Sequence, residues 1–226
     1  DGKVKVWNVA LEKTVGDVTL APYTRVRDIV CSPSGNWFAC AASGLPKDAK
    51  ASAIHLLNAK TLQLVTKIDF PSTTINTFAF NHNESVLVAG GSDGHVTLIG
   101  MDNKEPMSSW KAHVGAVLNV RYAPDYASIF SVGADCKLQR WDAHNSGKLL
   151  RQYVYAGPAD GAKRVDLSFN EDAPPNRGYF VVPSKAELAP IYERDTATPI
   201  LGIGNHKAAV TCCDWHPQLS QVMTGC

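Results

Sequence analysis

The sequence has no Cys-x-x-Cys pair, no long apolar stretch and no surplus of charge of either sign, and each absence removes a class of function. Its six cysteines (Cys31, Cys40, Cys136, Cys212, Cys213 and Cys226) include one adjacent pair but no metal-ligand spacing. Neither a zinc site nor a regular disulfide framework is expected, and a reducing cytosolic setting is. No run of about 18 apolar residues exists, and the first residues carry neither a charged n-region nor an apolar h-region. No membrane-spanning segment or secretory signal is therefore expected. Lys plus Arg number 22 against 21 Asp plus Glu, a net charge of +1, which leaves no field to hold a nucleic-acid backbone or an anionic membrane.

Apolar residues make up 45% of the 226 and charged residues only 19%, enough of the former to bury a core and too few of the latter for a disordered tail. The length exceeds the usual single domain, although all-β barrels and propeller-like folds often stay undivided at this size. Short Val, Ile, Thr and aromatic runs alternate with Gly, Pro, Asn and Asp clusters, and no long stretch has helical periodicity, so an all-β chain is expected. Asp1-Gly2 running into Lys3–Trp7 reads as a turn entering a strand with no initiator methionine before it. The expectation is a piece of a longer protein.

A hydrophobic strand end followed by a polar turn recurs at Cys31, Phe80, Tyr122, Phe169 and Trp215, with separations of 49, 42, 47 and 46 residues. A period in the forties holding several strands matches four-stranded propeller blades. Fixed offsets from these anchors test the register. His113 lies nine residues before Tyr122 and His206 nine before Trp215, while Ser131 and Thr224 lie nine after the same anchors. Asp93 and Asp135 follow Phe80 and Tyr122 by thirteen, and Trp141 follows Asp135 by six, the interval that also separates Asp1 from Trp7.

This pattern resembles the WD40 repeat, and His113, Ser131, Asp135 and Trp141-Asp142 are its fullest copy. The resemblance implies that His, Ser, Asp and Trp form a buried hydrogen-bonded chain, each member satisfying the next, because an unpaired buried imidazole or indole N–H costs about 1–3 kcal/mol. The tetrad reads as structural. Other copies decay: Gly91-Ser92-Asp93-Gly94 keeps the turn but Ile99 stands where Trp would, so Asp93 is expected to hold only its own turn. His206 and Thr224 give a partial tetrad. Around Phe169 neither His nor Trp survives, and Ala173-Pro174-Pro175-Asn176 breaks a simple hairpin. The expected architecture is an incomplete WD40-type β-propeller of four full blades, about 25–68, 75–111, 115–155 and 164–203, flanked by half-blades at 1–20 and 208–226. An open ring exposes strand edges at both ends.

Longer strings narrow the resemblance. Arg25–Gly35 (RVRDIVCSPSG), Ile75–Asn83 (INTFAFNHN), Ser109–His113 (SWKAH), Gln139–Trp141 with His144–Gly147, and Ala209–Trp215 (AVTCCDW) are similar to the C-terminal propeller of the WD repeat-containing protein 91 family, in order and spacing over nearly the whole chain. The stretch between about 156 and 200 matches least. The resemblance implies a non-catalytic scaffold in early-to-late endosome conversion that restrains the class III phosphatidylinositol 3-kinase complex. It also implies a companion WD-repeat protein and a late-endosomal Rab GTPase as partners, no cofactor, and a cytoplasmic chain held peripherally and indirectly on early and late endosome membranes. A rival expectation is a peptide-reading propeller, such as a ubiquitin-ligase substrate adaptor or a histone-tail reader.

Sharper chemistries fare worse. His113, Asp135 and Ser131 superficially resemble a hydrolase triad, but the hydroxyl would lie on a buried strand rather than a sharp elbow. Gly90–Gly94 lacks the Lys-Ser/Thr of a phosphate loop and reads as a hairpin. Asn83-Glu84-Ser85 matches a glycosylation sequon by letters alone, and no Arg-Arg doublet supports direct lipid binding. Three segments are candidate partner sites on loops held by rigid strands. They are the insertion Ser43–Lys50 with Lys47 and Lys50, the linker Tyr155–Arg164 ending in Lys163 and Arg164, and the approach to the first full blade, where Tyr23 stands near Arg25 and Arg27. An aromatic beside arginines is a frequent hot-spot composition.

Overall fold

The computed structural model describes residues 2–45, 51–170, 178–217 and 219–226, and among them every regular element is a strand. A hairpin of β1 (Lys3–Asn8) and β2 (Lys13–Thr19) comes first. The first four-stranded sheet holds β3 (Arg25–Cys31), β4 (Trp37–Ser43), β5 (Ser52–Asn58) and β6 (Leu64–Phe70). The second holds β7 (Ile75–Phe80), β8 (Val86–Gly91), β9 (His95–Gly100) and β10 (Pro106–Lys111). In the third are β11 (Val117–Tyr122), β12 (Ser128–Gly133), β13 (Leu138–Asp142) and β14 (Leu149–Tyr153). The fourth has two short leading strands, β15 (Ser168–Phe169) and β16 (Tyr179–Val181), then β17 (Leu188–Glu193) and β18 (Leu201–Gly204). A second hairpin, β19 (Cys212–Trp215) and β20 (Val222–Gly225), ends the chain.

Each sheet is an antiparallel meander whose strands neighbour one another in chain order. Sheets meet through their leading strands, β3 against β7, β7 against β11 and β15 against β19, so those strands line the axis of the arc. The ring is not closed, as an incomplete WD40-type propeller requires. Central strands such as β4, β5, β8 and β12 are buried along almost their whole length because a sheet packs on each face, while the outermost strands β6, β10 and β14 present alternating exposed residues.

The core is a series of inter-sheet layers. Ile54, Leu56 and Ile68 pack on Phe78, Leu87 and Ile99 between the first and second sheets. Val88, Val96 and Leu98 meet Val120, Ile129 and Trp141 between the second and third. The fourth sheet has no His or Trp at tetrad positions and is held differently. Phe130 and Tyr153 pack on Phe180 and Tyr192 with ring centroids 4.9–5.8 Å apart, each such pair adding about 0.5–1.5 kcal/mol beyond its buried area. The Tyr153 hydroxyl donates to the Arg194 carbonyl at 2.5 Å and that of Tyr192 to the Val154 carbonyl at 2.6 Å, so the aromatic layer buries no unpaired hydroxyl. Ion pairs Arg140–Asp195 and Arg194–Asp125 fasten the same two sheets.

Candidate interaction surfaces

The tetrad residues converge beneath the turns that follow the second strands. Trp141 Nε1 on β13 donates to Ser131 Oγ on β12 at 2.8 Å, and Ser131 Oγ lies 2.7 Å from His113 Nε2. On the other side of the ring, His113 Nδ1 is 2.9 Å from Asp135 Oδ1. Asp135 also accepts the backbone N–H groups of Val114 at 3.0 Å and Lys137 at 3.3 Å. Every proton is placed when the imidazole is neutral: indole N–H to serine oxygen, serine O–H to Nε2, Nδ1–H to carboxylate. Burial pushes the His113 pKa below its ordinary value of 6.5, and the neighbouring Asp135 carboxylate opposes that shift without cancelling it. Gly133 is required by the close approach, since a Cβ there would stand 2.3 Å from His113 Nδ1 and 2.4 Å from Asp135 Oδ1. Gly94 serves likewise: φ is +82° and a Cβ would meet the His113 carbonyl at 2.2 Å.

Ser131 is 0% exposed, so this constellation offers no nucleophile that a substrate can reach. Asp93 accepts the His95 N–H at 3.1 Å inside its own turn, and His206 Nε2 lies 2.8 Å from Thr224 Oγ1 in the final hairpin. Among the described residues no group of three or more His, Cys, Asp or Glu is placed to hold a metal ion.

The candidate partner residues separate sharply. Tyr23 is a correction: it is 6% exposed, packed with Val4, Leu20 and Leu57, set edge-on to the His55 ring at 5.4 Å, and its hydroxyl reaches Asp69 Oδ1 at 3.4 Å. The ring is thus packed between the first hairpin and the first sheet rather than presented to solvent. Arg25 and Lys163 are exposed, with no ion pair among the described residues. Arg164 is also exposed but ion-paired, its Nη1 2.7 Å from Asp28 Oδ1 and its Nε 3.7 Å from Asp166 Oδ1. Lys47 and Lys50 lie outside the described residues.

The structure adds a groove of about 460 Å³ between the second and third sheets, at the end opposite the tetrad turns. The rings of His82 and Tyr126 lie 4.6 Å apart along it, Met107 is 64% exposed, and Ser108 donates to Ser146 Oγ at 2.7 Å across the seam. Tyr122 also lines the groove, and burial pushes its phenol up to about 12. His82 and Tyr126 occupy the polar turns two and four residues beyond the anchors Phe80 and Tyr122. The repeat register therefore locates both turns but not the ring contact between them.

Comparison with known proteins agrees with the architecture. A family model for the "Anaphase-promoting complex subunit 4 WD40 domain" matches residues 49–125, and one for "WD domain, G-beta repeat" matches residues 197–226. The WD repeat-containing protein 91 homolog of Dictyostelium discoideum is 32% identical over 229 residues, 100% of this chain and 29% of that protein. WD repeat-containing protein 91 of Danio rerio is 30% identical over 241 residues, 95% of this chain and 33% of the relative. That of Mus musculus is 28% identical over 248 residues, with 95% and 33% covered. The chain thus spans about a third of the length of the curated relatives it matches. WD40 repeats are generally non-catalytic platforms for binding proteins, and this chain is a WD40-type β-propeller, incomplete as a ring, whose resemblance to the WD repeat-containing protein 91 proteins runs throughout.

Proposed function

We propose that the chain is the protein-binding propeller of a non-catalytic regulator of early-to-late endosome conversion, acting by restraint of the class III phosphatidylinositol 3-kinase complex. The observation that carries this reading is similarity along 100% of the chain to a WD repeat-containing protein 91 homolog, in a fold that works by holding binding loops on rigid strands. Its partners on this reading are a companion WD-repeat protein, the lipid-kinase complex and a late-endosomal Rab GTPase. The protein is cytoplasmic and reaches early and late endosome membranes indirectly, through those partners. Exposed Arg25, Lys163 and Arg164 are contact candidates among the described residues, and the aromatic groove between the second and third sheets is an additional surface.

The test is affinity capture with the full-length protein from cytosolic extract. Recovery of the kinase complex, the companion protein and the Rab GTPase supports the proposal. Recovery of ubiquitin-ligase adaptors or histones in their place transfers the function to a peptide-reading receptor and leaves the resemblance as a guide to fold alone.

A further inference from the structure

The axis-lining strands carry polar side chains that leave their own sheet. Asp28, 4% exposed, accepts the N–H of Phe78 through Oδ2 at 3.3 Å, linking the first sheet to the second. Asn76 Nδ2 donates to the Val117 carbonyl at 3.1 Å, linking the second to the third. Asn119, 2% exposed, donates through Nδ2 to the Val165 carbonyl at 2.5 Å, linking the third to the segment that enters the fourth. Arg164, the residue just before Val165, returns to the start: its Nη1 donates to Asp28 Oδ1 at 2.7 Å, across 136 residues of sequence. The pairing registers of β3, β7 and β11 shift at the same place, Val26/Asp28, Ile75/Thr77 and Val117/Asn119. Such an extra residue bends the strand and re-aims side chains.

We propose that Asp28, Asn76, Asn119 and Arg164 form a closed polar circuit around the propeller axis, with Arg164 as the link that ties the fourth sheet back to the first and fixes the opening of the arc. Adjacent sheets are held by the apolar layers between them, but among the described residues no buried cluster contains residues of both the first and the fourth. Without a chord, the angle between those two sheets is set only by three successive interfaces, whose small rotations accumulate. The Arg164–Asp28 pair is that chord. Its geometry suits permanence: the Asp28 side chain is 3% exposed, accepts the Ile29 and Phe78 N–H groups at 3.0 and 3.3 Å, and has Arg164 as its ion-pair partner. A buried carboxylate held by backbone donors still requires a counter-charge. The Arg164 side chain is 50% exposed, so salt reaches the pair from one side.

Amide hydrogen exchange resolved to single residues in the full-length protein tests the circuit, with Ala134, bonded to the Ala116 carbonyl at 2.9 Å within the third sheet, as the internal reference. Arg164→Gln is expected to speed exchange at Ile29 and Phe78 by on the order of tenfold relative to Ala134, as loss of a counter-ion frees the carboxylate from its donors. Arg164→Lys, which keeps the charge, is expected to recover most of that protection. Ratios within twofold of wild type in Arg164→Gln overturn the proposal, as does an equal rise at Ala134, which marks a general loss of stability. If Arg164→Gln does not fold, the wild-type protein decides. Raising NaCl from 0.05 to 1 M must increase exchange at Phe78 relative to Ala134, and an unchanged ratio refutes the tie.

Discussion

Replacing Trp141 with alanine tests the tetrad and the seam between the second and third sheets at once. The indole is 5% exposed, packs among Val88, Val96, Leu98, Val120 and Ile129, and lies 5.7 Å from the ring of Trp110. Truncating a buried aromatic of this kind costs about 3–5 kcal/mol, against a total of roughly 5–15 kcal/mol for a folded domain. The same change removes the donor at 2.8 Å from Ser131 Oγ, while that hydroxyl keeps His113 as its acceptor. The polar loss is therefore the smaller part. Trp141→Phe separates the two contributions: the ring body stays, the N–H goes, and the expected loss falls to about 1 kcal/mol. Urea unfolding followed by far-ultraviolet circular dichroism reads both, since removing a tryptophan disturbs fluorescence. With a slope of about 3 kcal/mol/M, Trp141→Ala moves the midpoint down by about 1–1.7 M. A shift under about 0.3 M at unchanged slope, less than about 1 kcal/mol, means that Trp141 does not carry the seam and that the repeat register misplaces it.

Ser131→Ala leaves both Trp141 Nε1 and His113 Nε2 without their shared partner, so it is expected to cost about 1–3 kcal/mol by the same urea assay despite removing a single oxygen. His113 and His55 both have pKa values lowered by burial from 6.5. The unfolded chain therefore takes up their protons first, and stability is expected to be constant above that value, then fall as pH drops below it, with a slope of up to about 1.4 kcal/mol per pH unit for each group. A stability curve flat between pH 7 and 5 contradicts the neutral assignment of both rings. Native-state alkylation is expected to modify exposed Cys31, Cys136, Cys212 and Cys226 while sparing buried Cys40, whose thiol is pushed up to about 12, and buried Cys213, whose thiol is also raised by burial. Mass spectrometry after denaturation should then find six reactive thiols. In affinity capture, Lys163→Glu is expected to lower partner recovery severalfold and Tyr23→Phe to leave it unchanged, because only the former presents its side chain to solvent.

Local repetition was readable from residue spacing, and chemistry between distant segments was not. His113, Ser131, Asp135 and Trp141 meet because each is fixed by a short offset within one repeat, and a period in the forties carries that information along the chain. Tyr23 shows the limit. An aromatic near Arg25 and Arg27 has the composition of a contact site, but its environment is set by Val4 and Leu57 of two different strands, which composition does not encode. The fourth sheet lacks tetrad residues, yet Phe130, Tyr153, Phe180 and Tyr192 replace the missing polar chain with an aromatic layer. The axis circuit is the hardest case, since its closing contact joins residues 136 apart. A faint signal did exist: Asp28 and Asn119 each stand three residues before an anchor, Cys31 and Tyr122, on strands that should be apolar towards a core. A polar residue repeated at one offset on a buried strand needs a partner, and in a propeller that partner lies on the neighbouring axis strand. Asn76 stands four residues before its anchor Phe80, so the offset marks the bulged stretch of the axis strand rather than a single position.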